Sequence, residues 1–358
     1  MSKLFEPLSL GSVKLENRIA MAPLTRYRAD DEWVPLPMAK AAVPGTLLIS
    51  EATLISKASI CRHNIPGIFN DAQTSRWKEI TDAVHEKDSF IFCQIWHLGR
   101  AGLPNIYKEA GNKFLSSSAV PIDDTRGVPE EMTEEEIWTT IRDYATAAKN
   151  VIAAGFDGVE LHGANGYLID QFLQDNCNKR TDAWGGSIEN RARFALEVTK
   201  AVVDAIGADK VGIRLSPFSD FQGMLMQDPY PQFEYIVKQL KPLGLAYLHL
   251  IEARIAGNAD SACGEGHNVG FLVKLWDNQS PIILAGGFNS ESALKIVDET
   301  YKDHDVVVAF GRYFISNPDL VFRLKEGINF TKYDRSTFYT PKLPEGYIDL
   351  PFCEQFRV

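Results

Sequence analysis

The chain has 358 residues, of which 45% are hydrophobic and 23% charged, a composition typical of a globular protein with a large core. Its 37 basic and 47 acidic residues give a formal net charge of −10, which argues against a nucleic-acid partner, because phosphate backbones require a basic surface. No run of about 18 apolar residues occurs, and the opening MSKLFEPLSLG has no apolar signal segment. We therefore expect a cytoplasmic protein without a membrane segment.

Five cysteines are spread along the chain, and no two of them form a CxxC pair. They are Cys61, Cys93, Cys177, Cys263 and Cys353. This spacing is typical of reduced thiols rather than of a disulfide framework or a zinc site, so we predict no bound metal.

Eight short β-branched or apolar runs alternate with segments of helical spacing. The predicted strands are 19–23, 46–51, 90–96, 158–162, 211–217, 246–252, 281–287 and 306–312. The predicted helices are 71–87, 133–154, 187–206, 231–241, 269–276, 290–297 and 318–326. Strands that alternate with helices pair in parallel, and eight such units predict an α/β fold, a closed (β/α)8 TIM barrel that forms one domain over residues 1–358.

Two stretches interrupt this pattern. Segment 97–132 is too long for a barrel loop, and we predict that it forms a cap or a hairpin over the top face of the barrel. Between the first two strands only 26–44 is available, and three prolines punctuate it. Roughly two turns of helix at most fit there, so the first helix should be shortened.

The stretch 158–167, GVELHGANGY, places an imidazole, a carboxamide and a phenol at the end of the fourth strand. Because side chains alternate along a strand, Glu160 and His162 share the face opposite the aliphatic residues. Small residues then break the strand into a loop that can direct Asn165 and Tyr167 back toward His162. The pattern indicates an active site, although a hydrogen-bonded core histidine and a packing tyrosine would also satisfy it.

The third and fifth strands show the same alternation. Gln94 and Trp96 share one face of the third strand and Arg214 lies on the corresponding face of the fifth, while aliphatic residues occupy the opposite faces. Polar side chains inside a barrel are costly unless they bind something, and the active site of such barrels lies at the carboxyl ends of the strands. We therefore predict a binding site in the lumen.

The last two strands end in glycines, at Gly286 and Gly287 and again at Gly311, which precedes Arg312. Loops after strands seven and eight commonly hold a phosphate in this fold, and an arginine adds a fixed positive charge. FMN would fit these groups together. Its phosphate would lie at the glycines, its pyrimidine edge would face the amide and guanidinium of the lumen, and its ring would stay open toward the GVELHGANGY loop.

The chain contains, in one order, the motifs LFEPLSLGSVKLENRIAMAPLTRYRA, GTLLISEA, HGANGYLIDQFLQDNCNKRTDAWGGSIENRARF, VGIRLSPF, AGGF, FGRYFISNPDLVFRL and KYDRSTFY. In this series it resembles, nearly end to end, the old yellow enzyme family of FMN-dependent ene-reductases. The resemblance is strongest to the fungal branch that includes enzymes acting on chanoclavine-I aldehyde.

The resemblance implies roles for individual residues. His162 and Asn165 would bind the carbonyl oxygen of an α,β-unsaturated substrate, and Tyr167 would donate a proton. The implied FMN contacts are Pro23, Thr25, Ala52, Gln94, Arg214, Gly286, Gly287, Gly311 and Arg312. The implied substrate pocket includes Trp96, Phe338 and Tyr339, for which core packing is the alternative.

The implied reaction is the reduction, with NADPH or NADH, of the activated C=C bond of an unsaturated aldehyde or ketone in fungal secondary metabolism. Two alternatives stay open, a redox-neutral flavin-dependent isomerase or cyclase with the same pocket, and a cofactor-free binding or scaffold barrel. Tyr167 favours net reduction, because phenylalanine at this position goes with isomerase behaviour in the branch that the chain resembles. We expect a small-molecule enal or enone partner and a monomer or homodimer.

Two stretches depart from the family pattern. The sequence MAKAAVPG, 38–45, lacks about two turns of the usual first helix by comparison with a normal crossover length. The second stretch, 56–64, carries Arg62, whose charge is predicted to lie near the rim of the substrate entrance.

Overall fold

Eight parallel strands close into a barrel in the computed structural model, which describes residues 2–36, 43–257, 259–260 and 267–356. The strands are β1 (Ile19–Met21), β2 (Leu47–Ile49), β3 (Phe90–Trp96), β4 (Gly158–Gly163), β5 (Val211–Leu215), β6 (Tyr247–Ile251), β7 (Ile282–Ala285) and β8 (Val306–Phe310). Each strand pairs in parallel with the next, and β8 pairs with β1. The predicted TIM barrel is confirmed, and every strand overlaps its predicted run.

Helices cover the outside of the barrel. They are α1 (Asp71–His85), α2 (Pro104–Glu109), α3 (Glu134–Ala153), α4 (Leu168–Leu173), α5 (Ile188–Ile206), α6 (Tyr230–Leu240), α7 (Gly270–Trp276), α8 (Ser290–Lys295), α9 (Arg312–Ser316) and α10 (Leu320–Glu326), and a π-helical turn, Ile296–Thr300, continues α8. Helices α2, α4 and α9 are too short for a periodic pattern and were not predicted. Helix α3 begins with a capping box, in which Thr133 and Glu136 bind each other's backbone N–H.

Two apolar layers follow from the alternation of side chains along the strands. The outward residues of β3, Ile91, Cys93 and Ile95, pack with the helices in the main core. The inward residue Phe92 lies in a separate cluster at the bottom of the lumen, together with Tyr247. Since burying one large apolar side chain contributes about 1.5–3 kcal/mol, both layers stabilise the barrel, and only the upper lumen is left for a ligand.

An antiparallel hairpin, Leu8–Leu10 and Val13–Leu15, lies before the barrel. The sequence analysis did not predict it. Its residues Leu10 and Leu15 are fully buried and belong to the same cluster as Phe92 at the bottom of the lumen. The hairpin therefore closes the end of the barrel opposite the predicted site.

Segment 97–132 covers the top of the barrel, as predicted for a cap. It contains α2 and a strand pair, Leu115–Ser116 with Glu130–Glu131, which is parallel, so the hairpin alternative is wrong. The guanidinium of Arg100 donates to the carbonyl oxygens of Val120 and Gln222 and so ties the cap to the loop after β5. A further short antiparallel pair, Ile255–Ala256 with Ala259–Asp260, follows β6.

The connection between β1 and β2 contains no helix in its described residues, 22–36 and 43–46. A bridge between Ala29 and Pro35 folds the first part back on itself. The short helix predicted within 26–44 is not present in 26–36 or 43–44. Residues 37–42 of that stretch, which include most of MAKAAVPG, lie outside the described residues, as does Cys263. No helix among those described is long and apolar enough to cross a membrane.

Candidate active site

A cavity of about 800 Å³ opens at the carboxyl ends of the barrel strands. Fourteen of the fifteen predicted site residues line it, namely Pro23, Thr25, Gln94, Trp96, His162, Asn165, Tyr167, Arg214, Gly286, Gly287, Gly311, Arg312, Phe338 and Tyr339. Ala52 is the exception: its side chain is buried with Leu54 and Ile60 in the apolar cluster under the cap, and its backbone contact with FMN stays a prediction. The volume lies within the range of small-molecule sites.

His162 ends the lumen face of β4 and is nearly fully buried. Its ring stacks on Trp96 with centroids 5.7 Å apart and an interplanar angle of 12°. Its Nδ1 accepts a hydrogen bond of 3.4 Å from the N–H of Ala164, so the ring proton belongs on Nε2. His162 therefore offers one N–H donor to a ligand in the cavity.

A left-handed turn places Asn165 and Tyr167 beside His162. Asn165 and Gly166 have φ values of 56° and 74°, a conformation that asparagine and glycine tolerate best. The backbone N–H of Asn165 donates to Ser216 Oγ at 2.8 Å, and that of Gly166 donates to Asp170 Oδ2 at 2.8 Å. These bonds fix the turn as the sequence predicted, with Tyr167 preceding α4.

The protonation states of this group follow from its surroundings. Burial, with the positive charge of Arg214, holds the pKa of His162 well below its usual range, so its imidazole is neutral at physiological pH. Burial raises the pKa of Tyr167, so its phenol keeps its proton. The cavity thus presents two neutral groups, an N–H donor and an O–H donor, on one wall.

An amide and a positively charged group lie deeper in the lumen. Gln94 and Arg214 are both buried and both line the cavity. Burial lowers the pKa of Arg214, while the carboxylate of Glu160 opposes that effect and keeps the guanidinium charged. In the described part of the chain, Arg214 Nε has no hydrogen-bond partner although it is buried. A buried donor without a partner is costly, which indicates that a ligand completes this site.

The ends of β7 and β8 form the predicted glycine-lined region. A Cβ atom at Gly286 would come within 2.5 Å of Glu252 Cβ, and one at Gly311 within 3.3 Å of Leu24 Cδ2. Side chains at these positions would therefore crowd the cavity wall. Arg312 lines the same region, and its guanidinium lies 5.4 Å from the ring centroid of Tyr333.

The C-terminal segment lies over the mouth of the cavity because two arginines of the β1–β2 connection hold it. Arg26 Nε donates to the carbonyl oxygen of Phe338 at 2.9 Å, and Arg28 donates to the carbonyl oxygens of Thr337 and Thr340. This contact brings Phe338, which is buried, and Tyr339, which is 46% exposed, into the cavity wall.

Sequence reasoning missed several residues of the site. Tyr27 lines the cavity and packs against Tyr339 with ring centroids 5.6 Å apart. Asp123 and Arg126 of the cap line it as well. Neither Tyr27, which lies beyond the end of β1 and has a φ of 57°, nor the cap residues follow a periodic pattern that could have indicated them. Arg62 lines the cavity, in agreement with its expected place near the entrance.

The chain can now be compared with known proteins. A model of the NADH:flavin oxidoreductase / NADH oxidase family matches residues 3–331. The crystal structure of Old Yellow Enzyme from Pichia sp. AKU4542 is similar with a TM-score of 0.90 and 36% sequence identity, and the match covers 99% of this chain and 94% of that one.

Similar fungal proteins match over almost their whole length. Chanoclavine-I aldehyde reductase fgaOx3 of Penicillium roqueforti is 56% identical over 364 residues, covering 100% of this chain and 98% of the relative. NADP-dependent oxidoreductase lnbE of Aspergillus flavus is 53% identical over 368 residues, covering 99% and 97%. A 50% identical protein of Epichloe festucae var. lolii, with coverage of 99% and 96% over 367 residues, is named Probable inactive reductase easA.

These matches confirm the resemblance to the fungal old yellow enzymes that the sequence motifs indicated. The family match spans the hairpin, all eight barrel strands and the residues that line the cavity, except Phe338 and Tyr339. The chain belongs to the NADH:flavin oxidoreductase / NADH oxidase family.

Proposed function

We propose that the protein is an FMN-dependent ene-reductase that uses NADPH, or NADH, to reduce the activated C=C bond of an α,β-unsaturated aldehyde or ketone. The observation that carries this proposal is the convergence of His162, Asn165 and Tyr167 on one wall of the lumen cavity. Neutral hydrogen-bond donors arranged in this way can polarise a carbonyl group and deliver a proton.

The residues present fit FMN. The Nε of Arg214, which has no partner among the described residues, and the amide of Gln94 suit the polar pyrimidine edge of a flavin. The glycines after β7 and β8, together with Arg312, suit its phosphate. Pro23 and Thr25 line the same cavity. When bound, FMN would accept hydride from the nicotinamide and pass it to the β carbon of the substrate.

The protein's own groups would carry out the remaining tasks. His162 donates through Nε2–H to the carbonyl oxygen of the substrate, and the side-chain amide of Asn165 assists it. Both are fixed by the turn after β4, so no reorganisation is needed when negative charge develops on that oxygen. Tyr167 donates the proton to the α carbon. The cap and the C-terminal segment exclude water from these groups.

The names of two relatives support the finer assignment. One is named an aldehyde reductase and one is named NADP-dependent. We propose an enal as the preferred substrate class and NADPH as the preferred donor on this basis. No observation favours the isomerase or the scaffold alternative, and the buried guanidinium of Arg214, unpartnered at Nε in the described part of the chain, argues against an empty barrel.

The cellular setting belongs to the same proposal. The cysteines that the structure describes are free thiols, as is common in the reducing cytoplasm. We propose a cytoplasmic enzyme whose partners are small molecules rather than nucleic acid, acting as a monomer or a homodimer.

Product analysis tests the reaction. Purified protein with FMN, NADPH and a panel of enals should give the saturated aldehyde, with one NADPH oxidised for each C=C bond reduced under anaerobic conditions. An isomeric product formed with only catalytic amounts of NADPH would instead support the isomerase, and no turnover of any enal would contradict the proposed function.

A further inference from the structure

A layer of side chains crosses the lumen directly below the cavity. Gln94 on β3 is the register partner of Glu160 on β4, which pairs with Gly212 on β5, which pairs in turn with Tyr247 on β6. Glu160 and Tyr247 are fully buried and do not line the cavity, whereas Gln94 does. The proposed reaction assigns no task to Glu160.

Three donors converge on the Glu160 carboxylate. Gln94 Nε2 donates to its Oε1 at 2.7 Å, while Tyr247 Oη and His249 Nδ1 donate to its Oε2 at 3.1 and 2.7 Å. Gly212 makes this possible, because a Cβ atom there would overlap the Tyr247 ring. Burial alone would raise the pKa of Glu160, but His249, Arg214 and Gln94 together hold it below its usual value. The carboxylate is therefore ionised.

An ionised carboxylate only accepts hydrogen bonds, and this settles the orientation of the Gln94 amide. Its NH2 group must point to Glu160, so its carbonyl oxygen is the acceptor left for a ligand in the cavity. The pyrimidine edge of a flavin presents one N–H donor between two carbonyl acceptors. An amide oriented in this way matches that central donor.

We propose that Glu160 is a positioning residue for the flavin, which fixes the Gln94 amide with its carbonyl oxygen toward the cavity and moderates the positive charge of Arg214. This inference rests on the proposed function in that FMN is the ligand. It extends the site to Glu160, a side chain that does not line the cavity and acts through Gln94.

The charges of Arg214 and Glu160 should also affect how easily the bound flavin is reduced. Arg214 and His162 are register partners one layer above Glu160 and Gly212. Reduction places negative charge on the pyrimidine end of a flavin, so the positive charge of Arg214 favours the reduced form and the negative charge of Glu160 opposes it. Neutralising Glu160 should make the bound flavin easier to reduce.

A simple filling role predicts something different. Replacing a buried carboxylate that has only a structural role by a neutral group should lower stability alone, since the change leaves the buried partner charge uncompensated. Asp319 provides the comparison. It is fully buried and paired with Arg323 at 2.8 Å, and it does not line the cavity.

The test compares wild type with Glu160→Gln, Glu160→Asp, Gln94→Ala and the control Asp319→Asn. Three quantities are measured, the Kd of FMN for each apoprotein by fluorescence quenching, the reduction potential of each holoprotein by dye equilibration, and the unfolding midpoint in urea. Neither of the first two depends on turnover.

Glu160→Gln should weaken FMN binding about tenfold, or about 1.4 kcal/mol, because its amide no longer fixes Gln94. It should also raise the reduction potential, by about 30 mV for each tenfold gain in relative affinity for the reduced flavin. Glu160→Asp keeps the charge but is too short to hold Gln94, so it should weaken FMN binding with little change in potential. Asp319→Asn should lower the unfolding midpoint and leave both flavin properties unchanged.

If Glu160→Gln does not fold, the test uses Glu160→Asp, Gln94→Ala and the double variant that combines these two substitutions. If both residues act through one contact, the double variant should bind FMN no more weakly than the weaker of the two single variants. Additive losses, or variants that bind FMN like wild type with an unchanged potential, would overturn the positioning role alone. Wild-type apoprotein that does not bind FMN would overturn both this inference and the proposed function.

Discussion

The phenol ring of Tyr167 meets the imidazole of His162 edge-on, with ring centroids 4.7 Å apart and an interplanar angle of 75°. Trp96 packs against both rings and fixes their relation. The imidazole and the hydroxyl therefore face the same cavity from two different fixed positions. We expect them to have different tasks in the reaction, and a substitution at either residue should remove one task alone.

Removing the hydroxyl of Tyr167 should slow alkene reduction without affecting the oxidation of NADPH. We expect Tyr167→Phe to lower the rate of the oxidative half-reaction about 10²- to 10⁴-fold, the usual contribution of a positioned general acid. Stopped-flow measurement of each half-reaction separates the two steps. Tyr339→Phe is the matched control, because this phenol also lines the cavity but is 46% exposed, and it should have little effect. Equal losses in both half-reactions would remove Tyr167 from the role of proton donor.

The carbonyl donor should act as a neutral imidazole at the pH where an exposed histidine titrates. Because burial and the positive charge of Arg214 hold the pKa of His162 well below its usual value, its N–H is present there without a second proton. The rate of enal reduction should therefore show no step near pH 6.5, the ordinary pKa of histidine. His162→Ala should lower that rate about 10²-fold, and His162→Asn, which keeps a donor, should recover part of it. A step near pH 6.5 that disappears in His162→Asn would show that His162 titrates.

Gly212, below the cavity, leaves no space for a side chain. In Gly212→Ala the added methyl group would overlap the Tyr247 ring, so the ring must move and its bond to Glu160 must break. Overpacking of this kind costs about 1–3 kcal/mol of the free energy of unfolding, measurable by urea denaturation. Adding Tyr247→Leu, which provides space, should restore part of the loss. A Gly212→Ala protein as stable as wild type would contradict the packing described.

The support of the Asn165–Tyr167 turn should make stability depend on pH. Burial raises the pKa of Asp170 to about 7, from 3.8 in an exposed carboxyl group. The folded protein thus binds a proton that the unfolded chain releases, so the stability from this group is complete below pH 4 and is lost as the pH rises through 7. A pKa difference of one corresponds to about 1.4 kcal/mol.

Urea unfolding of wild type and Asp170→Asn between pH 4 and 8 measures this contribution. The variant should be less stable at low pH. The carboxyl accepts through both oxygens, from Gln174 Nε2 and from the N–H of Gly166, each at 2.8 Å, whereas an amide has one acceptor oxygen and would turn its NH2 group toward one of these donors. The gap between the two curves should narrow toward pH 8. Parallel curves would show that Asp170 does not titrate in this range.

The barrel and most of the site could be predicted from the sequence for one physical reason. In β3, β4 and β5 the alternation of apolar and polar residues separates the helix layer from the lumen, and this is visible in residues such as Ile95 and Gln94. Asn165 and Gly166 are also residue types that favour the left-handed backbone conformation they adopt in the turn. These features are local, so they can be read from the sequence without the tertiary structure.

Contacts between distant parts of the chain could not be predicted in this way. Arg26 donates to the carbonyl oxygen of Phe338, which lies 312 residues away in the chain. The side chain of Ala52 packs in the apolar cluster under the cap, which brings together residues from several segments. Glu160 was assigned to the lumen by its alternation, but its three partners lie on two other strands. Such partners depend on barrel register, which no single segment encodes.

The measurement that tests the central claim most directly is the visible absorption of the purified protein through one anaerobic cycle. We predict a bound flavin spectrum that NADPH bleaches and that a stoichiometric amount of an enal then restores, with the saturated aldehyde formed in equal amount. Protein that remains colourless with excess FMN, or bound flavin that NADPH reduces but no enal reoxidises, would contradict the account.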